Sequence, residues 1–382
     1  MSTADALKHA VPAIRHDLPD LRLGFVPLTD AAPLLVAEVK GFFHRHGLSV
    51  SLAPSPSWSA LRDRVVFGVY DGAHILGPMP LAIGLGLGGV HARLHVTATL
   101  GRNGNTVVLG GTLSEKLGEA GFPLTATDFA AVLRRRAQAG REKVRLAVVF
   151  PFSSHNYLLR HWLAEGGIDP DHDLSLVVLP PPALPEALAA RKIDGFCAGE
   201  PWGSRAVDLR VGRIVLTSSR IWPDHPEKVL AVPAALTERD PARVDAATAA
   251  VMEAANWLSF AENRAEAARI LHARALPGVP PEVIALALEE RLQPSPDLLP
   301  SHTPRVILHS AAATYPDPGD ARWFFGAMRR WGHVSPDTTM PDGIWRPDIW
   351  RRAAQTAGLL GLAEASPVFN ETPPTIRSPI HD

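Results

Sequence analysis

Cysteine is almost absent from this 382-residue chain, which contains only Cys197. A single cysteine excludes an internal disulfide and any zinc or iron–sulfur centre built from several thiolates. Cys197 lies between Phe196 and Ala198 in an apolar run. That position is typical of a small buried thiol and not of a reactive one.

An excess of charge of either sign is also lacking, because 38 Lys and Arg stand against 39 Asp and Glu, a net charge of −1. Such a chain has no overall attraction to a phosphate backbone or to an anionic membrane. We therefore expect no direct contact with nucleic acid. Lysine is scarce within this balance: there are six lysines and 32 arginines.

No long hydrophobic run is present. The most apolar stretch, residues 80–90, is too short and too rich in glycine to span a bilayer. Residues 1–20 contain charges, histidines and prolines where a secretory signal would have a basic segment followed by an apolar one. The only cysteine lies mid-chain, so none is available near the start for lipid attachment. These features predict a cytoplasmic protein that does not bind membranes.

The length and composition that remain are those of an ordinary globular protein, with 46% hydrophobic and 20% charged residues. A chain of 382 residues exceeds what one hydrophobic core usually supports, so two lobes are expected.

Two similar units of strand, loop, helix and strand predict an α/β architecture with parallel pairing. In the first, Asp30 is a candidate N-cap for a helix over residues 31–46, and Gly47 ends that helix. Strands over residues 21–26 and 48–52 flank this helix. The second unit has predicted strands at 144–150, 174–179 and 195–198, with helices at 156–165 and 184–190.

The loops at residues 27–30 and 151–155 follow the first strand of each unit. In open α/β sheets, ligands bind beside such loops, at the carboxyl ends of strands and the amino ends of helices. The two loops are therefore the first places to look for a binding site.

Enzyme and metal motifs are weak or missing. His91 and His95 are spaced as in a zinc-binding helix, but no Glu follows His91. The glycines at 84–89 are not followed by Lys, so they indicate a bent loop and not a phosphate cradle. Ser153, Ser154 and His155 are adjacent in sequence, whereas a catalytic triad needs neighbours in space.

What remains is a set of side chains near strand ends, most of which donate hydrogen bonds. They are Trp58, His74, Asn103, Asn105, His155, Glu200-Pro201-Trp202 and Lys228. Each alone has an ordinary structural explanation, such as a core tryptophan, a buried histidine or a surface lysine. Together they would suit a small oxyanion.

Four long segments, residues 24–48, 57–82, 150–170 and 193–230, resemble one family, the nitrate- and bicarbonate-binding proteins related to nitrate ABC transporters. The most specific motifs are GEPW at 199–202 and W-x-x-H-P-E-K at 222–228. The resemblance implies a type II periplasmic-binding-protein-like fold with a ligand cleft between two lobes and two inter-lobe crossovers. We expect lobe 1 at 21–104 and 218–365, lobe 2 at 105–217, and tails at 1–20 and 366–382.

The same resemblance implies that Trp58, Asn105, His155 and Lys228 contact the anion. His74 and the segment Glu200-Pro201-Trp202 are expected nearby. Where relatives commonly have Gln, this chain has Asn105, which is one methylene shorter.

The lysine matters because bicarbonate-binding members replace it with an acidic residue and use calcium. Lys228 thus favours nitrate or nitrite and argues against a metal or another cofactor. Nitrate is planar, singly charged and without a proton, so donors around one positive charge fit it. Bicarbonate donates a proton, and a carboxylate that accepts this proton would repel nitrate.

The predicted cytoplasmic location selects the nitrate/nitrite sensor branch of the family, the NasS type. In that branch the protein holds an RNA-binding antiterminator of the NasT type inactive until the anion binds. Two alternatives stay open. One is a substrate-binding subunit of a nitrate ABC transporter, and the other is an enzyme on the same fold that uses Cys197 or His155.

Overall fold

The structure is a computed structural model that describes residues 20–114, 122–304, 306–361 and Pro374. The predicted tails at 1–20 and 366–382 lie outside the described residues, apart from Asp20 and Pro374. Among the helices of the described ranges, none has both the length and the apolar character needed to cross a membrane.

The elements of the first part of the chain alternate between strands and short helices. In order, they are β1 (Leu21–Phe25), α1 (Ala32–Val39), α2 (Phe42–Arg45), β2 (Val50–Pro54), α3 (Trp58–Val66), β3 (Gly72–Leu76), α4 (Met79–Gly84) and β4 (Leu94–Asn103). The middle part contains β5 (Asn105–Gly110), α5 (Gly111–Ser114), α6 (Ala126–Gln138), β6 (Arg145–Val148), α7 (Ser154–Glu165), β7 (Ser175–Val178), α8 (Leu184–Ala189), β8 (Gly195–Gly199), α9 (Trp202–Asp208) and β9 (Gly212–Thr217).

The last part is mainly helical. It consists of β10 (Pro226–Pro233), α10 (Ala234–Arg239), α11 (Pro241–Ser259), α12 (Ala261–Arg274), α13 (Pro281–Leu288), β11 (Arg291–Leu292), β12 (Ser301–His302), β13 (Ile307–Leu308), α14 (Pro318–Arg330) and α15 (Pro347–Thr356). Helix α11 packs against α1, α2, α15 and β4, so the alanine-rich C-terminal part covers the first sheet.

Two mixed sheets organise these elements. The first has the order β13-β4-β10-β3-β1-β2 and the second the order β7-β6-β8-β5-β9. In the first sheet β1 is parallel to β2 and β3, while β10 is antiparallel to β3 and β4. In the second sheet β6 is parallel to β7 and β8, while β5 is antiparallel to β8 and β9. The predicted α/β architecture is confirmed, with two sheets that each contain parallel pairs.

The chain passes from the first sheet to the second at Gly104, between β4 and β5. Asn103 and Gly104 both have positive φ there, 63° and 96°, and the second value strongly favours glycine. The chain returns between Thr217 and Pro226 through a 3-10 turn at Ser218–Arg220. These are the two crossovers predicted from the sequence. The exact domain limits stay a prediction.

The first predicted unit is correct in its order but wrong in the role of Asp30. That residue lies in a 3-10 turn at Thr29–Ala31, and α1 begins at Ala32 with no side-chain cap. The expected single helix is also interrupted, because Gly41 has φ of 73° between α1 and α2. The Asp30 carboxylate is buried and bonds to other strands instead, as described below.

The second unit matches its prediction closely: α7 follows the loop after β6, and β7, α8 and β8 come in the expected order. Ser153 caps α7 by accepting a hydrogen bond from the Asn156 amide at 3.2 Å. The glycine run after α4 forms turns, with positive φ at Gly86, Gly88 and Gly89. The sequence patterns therefore predicted local structure well where only neighbouring residues were involved.

Candidate anion-binding cleft

Polar side chains from both sheets meet where the chain crosses between the sheets. The first sheet contributes Asp30 from the turn after β1, His74 from β3, and Glu227 and Lys228 from β10. The second contributes Asn105 from the start of β5, and Ser154 and His155 from the start of α7. All seven residues are buried, each with at most 2% of its surface exposed. We call this set the cleft cluster.

Lys228 is the central cation of the cleft cluster. Its Nζ donates hydrogen bonds to Asp30 Oδ2 at 2.8 Å and to Glu227 Oε1 at 2.7 Å. The ammonium also lies 5.6 Å from the centre of the Trp58 ring. The lysine singled out by the sequence thus faces the cleft, but its charge is shared with two carboxylates.

Glu227 is the residue that joins the two sheets. Its Oε2 accepts hydrogen bonds from Asn105 Nδ2 at 2.7 Å and from the Ser154 hydroxyl. The Nδ1 of His155 lies 3.5 Å from its other oxygen. One carboxylate on β10 therefore contacts Asn105 on β5 of the second sheet and two residues at the start of α7.

Asp30 joins three strands of the first sheet. Its Oδ1 lies 2.9 Å from His74 Nε2, and its Oδ2 accepts from Lys228. Burial alone would raise the pKa of Asp30, but the positive charge of Lys228 and the bond to His74 outweigh burial and lower that pKa. The carboxylate is therefore ionised at neutral pH.

The same competition acts on Glu227 and Lys228. Burial would raise the pKa of Glu227, yet the Lys228 charge and His155 hold it well below its usual range. Burial would lower the pKa of Lys228, yet Asp30 and Glu227 raise it. Burial lowers the pKa of His155, which Glu227 opposes only in part. Two carboxylates thus face one ammonium, so the expected single positive charge among donors is an incomplete description.

Buried indole N–H groups near this cluster have no protein acceptor: they are the Nε1 of Trp58 and of Trp202. The Nδ1 of His74 also has no hydrogen-bond partner. The Trp58 and His74 rings are 5.9 Å apart between centroids, and Trp58 also stacks over Lys228. Buried polar groups normally find partners, so unpaired donors beside a cation indicate a site for an acceptor such as an oxyanion.

The GEPW segment borders the cleft cluster but does not add a carboxylate to it. A Cβ on Gly199 would stand 3.6 Å from both Asn105 Oδ1 and Asp30 Oδ2. The Glu200 carboxylate bonds to the Thr106 hydroxyl at 2.9 Å and to the Ser204 amide at 3.1 Å, and burial raises its pKa. The Glu200 backbone carbonyl accepts a hydrogen bond from the Thr29 amide at 2.8 Å, which links the loop at 27–30 to the segment after β8. Pro201 follows a cis peptide bond and precedes Trp202 at the start of α9.

The structure therefore brings together Trp58, His74, Asn105, His155 and Lys228, with Glu200, Pro201 and Trp202 at the border. Sequence reasoning missed Asp30, Ser154 and Glu227. Glu227 stands next to the lysine in the H-P-E-K motif, and Asp30 ends one of the two strand-end loops, so both carried a signal. Neither was assigned, because Asp30 was interpreted as a helix cap and the attention within the H-P-E-K motif went to the positive charge of Lys228.

The alternative chemistries find little support in the described residues. Cys197 is buried in β8, and burial raises the pKa of its thiol. His95 is buried and bonds to the Thr237 hydroxyl at 2.7 Å, whereas His91 is exposed. Across the described ranges no group of three His, Cys, Asp or Glu is arranged to hold a metal ion.

A family model described as the NMT1-like family matches residues 15–272. The chain belongs to the NMT1-like family. Among the relatives, the nitrate import ATP-binding protein NrtC of Synechocystis is 38% identical over 351 residues, which cover 89% of this chain and 50% of NrtC. The nitrate/nitrite binding protein NrtA of Nostoc is 32% identical over 353 residues, covering 88% and 77%.

The bicarbonate-binding protein CmpA of Synechococcus is also 32% identical, over 362 residues that cover 90% of this chain and 79% of CmpA. The crystal structure of the periplasmic nitrate-binding protein NrtA from Synechocystis PCC 6803 superposes with a TM-score of 0.84 at 32% identity, covering 91% and 92% of the two chains. This NMT1-like chain is therefore homologous to nitrate- and bicarbonate-binding proteins. It spans half the length of the ATP-binding relative NrtC.

Proposed function

We propose that the protein binds nitrate or nitrite in the cleft between its two sheets and uses that binding to regulate nitrate assimilation. The observation that carries the binding proposal is the group of buried N–H donors without a protein acceptor beside Lys228. Trp58 Nε1 belongs to that group, and the Trp58 ring lies 5.6 Å from the Lys228 ammonium. A small oxyanion supplies acceptors to such donors and negative charge to the ammonium.

Anion binding gives a physical route to a conformational signal. The donors come from β3, β10 and α3 on one side and from β5 and α7 on the other. An anion that contacts both sides binds the closed cleft more tightly than an open one, so it shifts the population toward closure. Closure changes the outer surface on which a partner protein docks.

The preference for nitrate over bicarbonate rests on Lys228. Asp30 and Glu227 already accept hydrogen bonds from Lys228, His74, Asn105 and Ser154. Both carboxylates are thus engaged with donors of the protein, and Lys228 supplies the positive charge that suits nitrate, an anion without a proton. Because NrtA of Nostoc and CmpA are equally identical to this chain, at 32%, the choice depends on the site chemistry.

For the biological role, we propose a cytoplasmic sensor of the NasS type. It holds an RNA-binding antiterminator of the NasT type inactive until nitrate or nitrite binds. The near-neutral charge supports a sensor that acts through a partner protein and does not touch RNA itself. The chain is similar to half of the nitrate import ATP-binding protein NrtC, which supports the presence of this fold in proteins other than separate substrate-binding subunits.

A second role, the substrate-binding subunit of a nitrate transporter, is favoured by the likeness to the nitrate/nitrite binding protein NrtA. Both roles use the same anion site and differ in the partner. Neither role involves turnover of the anion.

Titration calorimetry with nitrate, nitrite, bicarbonate and sulfate tests the binding proposal. We expect nitrate and nitrite to bind the wild-type protein and Lys228→Glu to abolish most of this binding. Lys192→Glu is the matched control, because Lys192 is exposed in the segment between α8 and β8 and is not part of the cleft cluster. Tight binding of bicarbonate would overturn the assignment.

The role is tested by mixing the purified protein with a purified antiterminator of the NasT type and measuring complex formation by size-exclusion chromatography. A sensor forms a complex that dissociates when nitrate is added. A complex that is indifferent to nitrate, or no complex at all, contradicts the sensor role and leaves the transporter role in place.

A further inference from the structure

The Glu227 carboxylate has the shape and charge of the anion proposed to bind. A carboxylate and a nitrate ion are both planar, both carry one negative charge, and both present oxygen acceptors to N–H and O–H donors. Glu227 Oε2 accepts hydrogen bonds from Asn105 and Ser154, while Oε1 accepts from Lys228 and lies 3.5 Å from His155 Nδ1. Three of these four residues, Lys228, Asn105 and His155, are among those expected to contact the anion.

A β-bulge explains how Glu227 reaches the cleft. Successive residues of a strand point to opposite faces, so Glu227 and Lys228 would ordinarily diverge. The pairing of β10 with β4 passes from Pro226–Arg102 to Lys228–Gly101, so two residues of β10 face one of β4. Such a bulge re-aims side chains, and here both neighbours reach the same cluster.

The charges give this arrangement a consequence for binding. Asp30 and Glu227 carry two negative charges, and both carboxylates are paired with the single ammonium of Lys228. A nitrate ion entering beside both carboxylates is repelled, because like charges repel strongly in a buried site. The repulsion between nitrate and the cluster falls when one carboxylate moves away from its donors. Asp30 is held by His74 on its own sheet, whereas Glu227 holds donors across the cleft.

We propose that Glu227 is an internal competitor of the anion: its carboxylate occupies Lys228, Asn105 and His155, and an incoming oxyanion displaces it from them. This inference rests on the proposed anion site and adds a residue that sets its affinity. Glu227 bridges the two sheets as the anion is proposed to do. After displacement, the anion in place of Glu227 would connect donors of the two sheets.

The test compares nitrate titrations of the wild-type protein, Glu227→Gln and Glu227→Ala. Gln keeps the size of the side chain and removes its charge, so we expect nitrate to bind roughly tenfold more tightly or better. Ala leaves a space of carboxylate size beside the same donors, so we expect this variant alone to bind formate or acetate. Glu186→Gln, an exposed carboxylate on α8, is the matched control and leaves the nitrate affinity unchanged.

Equal or weaker nitrate binding by a folded Glu227→Gln protein overturns the inference, since Glu227 would then support the donors and not compete for them. If the wild-type protein binds nitrate and this variant gains nothing, only the inference fails. If neither binds any of the anions, the proposed function fails as well.

Circular dichroism and thermal melting establish that each variant is folded. If Glu227→Gln does not fold, Glu227→Asp replaces it, because the shorter side chain keeps the charge but withdraws from Asn105 and Ser154. A tighter nitrate complex of the Asp variant supports the competition, and an unchanged or weaker complex contradicts it.

Discussion

Lys228 Nζ donates a hydrogen bond to Asp30 Oδ2 at 2.8 Å, although 198 residues separate the two in the chain. The pair links β10 with the turn after β1, and His74 on the intervening strand β3 contacts the other oxygen of the same carboxylate. One buried carboxylate thus holds three strands in fixed relation at the edge of the cleft. Any ligand that contacts Lys228 does so on this preformed support.

Removal of Lys228 will cost stability as well as binding. Lys228→Met leaves two buried carboxylates without their cation, and breaking a buried pair costs about 3–5 kcal/mol of the free energy of unfolding. The double variant Asp30→Asn, Lys228→Met should recover part of that loss, because one uncompensated charge is also removed. Urea denaturation measures the free energy of unfolding of the single and the double variant. Additive losses in the double variant would contradict the coupling.

Trp58→Phe will weaken anion binding without weakening the fold. The substitution keeps a ring beside Lys228 and removes the Nε1–H, which has no acceptor in the protein. We expect nitrate affinity to fall roughly 5- to 100-fold, about 1–3 kcal/mol. The melting temperature should stay the same or rise, because an unpaired buried donor is lost.

Calorimetry and thermal melting give both quantities for Trp58→Phe. Trp257→Phe is its control, since Trp257 is half-buried beside Lys40 and away from the cleft cluster. Equal effects of the two substitutions on nitrate binding would refute a role for the indole N–H.

The fold will lose stability in mild acid through its buried histidines. Burial lowers the pKa of His225 and of His309 from 6.5 to about 4. The unfolded chain therefore takes up protons between pH 6.5 and 4 that the folded chain does not. Stability is highest above pH 6.5 and falls as the pH drops toward 4, by up to about 3 kcal/mol for each histidine.

The acid effect is measured as the difference between wild type and His309→Gln in urea denaturation from pH 7 to pH 4.5. Gln keeps a donor for the Leu100 carbonyl, to which His309 Nδ1 lies at 3.0 Å. We expect a shallower loss of stability with acid in the variant. Burial raises the pKa of Asp320 to about 7, so this carboxyl takes up a proton in the folded protein as the pH falls and opposes the loss of stability. Both proteins contain Asp320, so its contribution cancels in the difference between them. Parallel curves would contradict the assignment to His309.

Cys197 will prove inert in the native protein. The thiol is buried in β8, its Sγ lies 3.8 Å from the His155 carbonyl, and burial raises its pKa. A thiol reagent should therefore react only after denaturation, because the thiolate is the reactive species. Cys197→Ala should bind nitrate like the wild type. Fast labelling of the native protein, or loss of binding in the variant, would reopen the enzyme hypothesis.

The local patterns of this chain were sufficient to predict the class of fold and the order of its elements. Strands and helices from β6 to β8 follow from hydrophobic runs, a serine cap and terminal glycines, all of which act between near neighbours. Lys228, Trp58 and His155 were identified through motifs that also named the family. The role of Asp30 was mispredicted, because its position before a helix has the same appearance whether the carboxylate caps the helix or pairs elsewhere.

The sequence by itself determined which residue types are available: one cysteine, few lysines, balanced charge, and donors placed at strand ends. Only the tertiary structure decided which of them meet. Strand order in the first sheet brings β1, β3 and β10 side by side, and the bulge in β10 aims Glu227 with Lys228 into one cluster. Pairing of this kind depends on strands that are far apart in the chain, so no local pattern encodes it. The sequence shows Lys228 as one of few lysines, but only the tertiary structure shows that Asp30 and Glu227 share its charge.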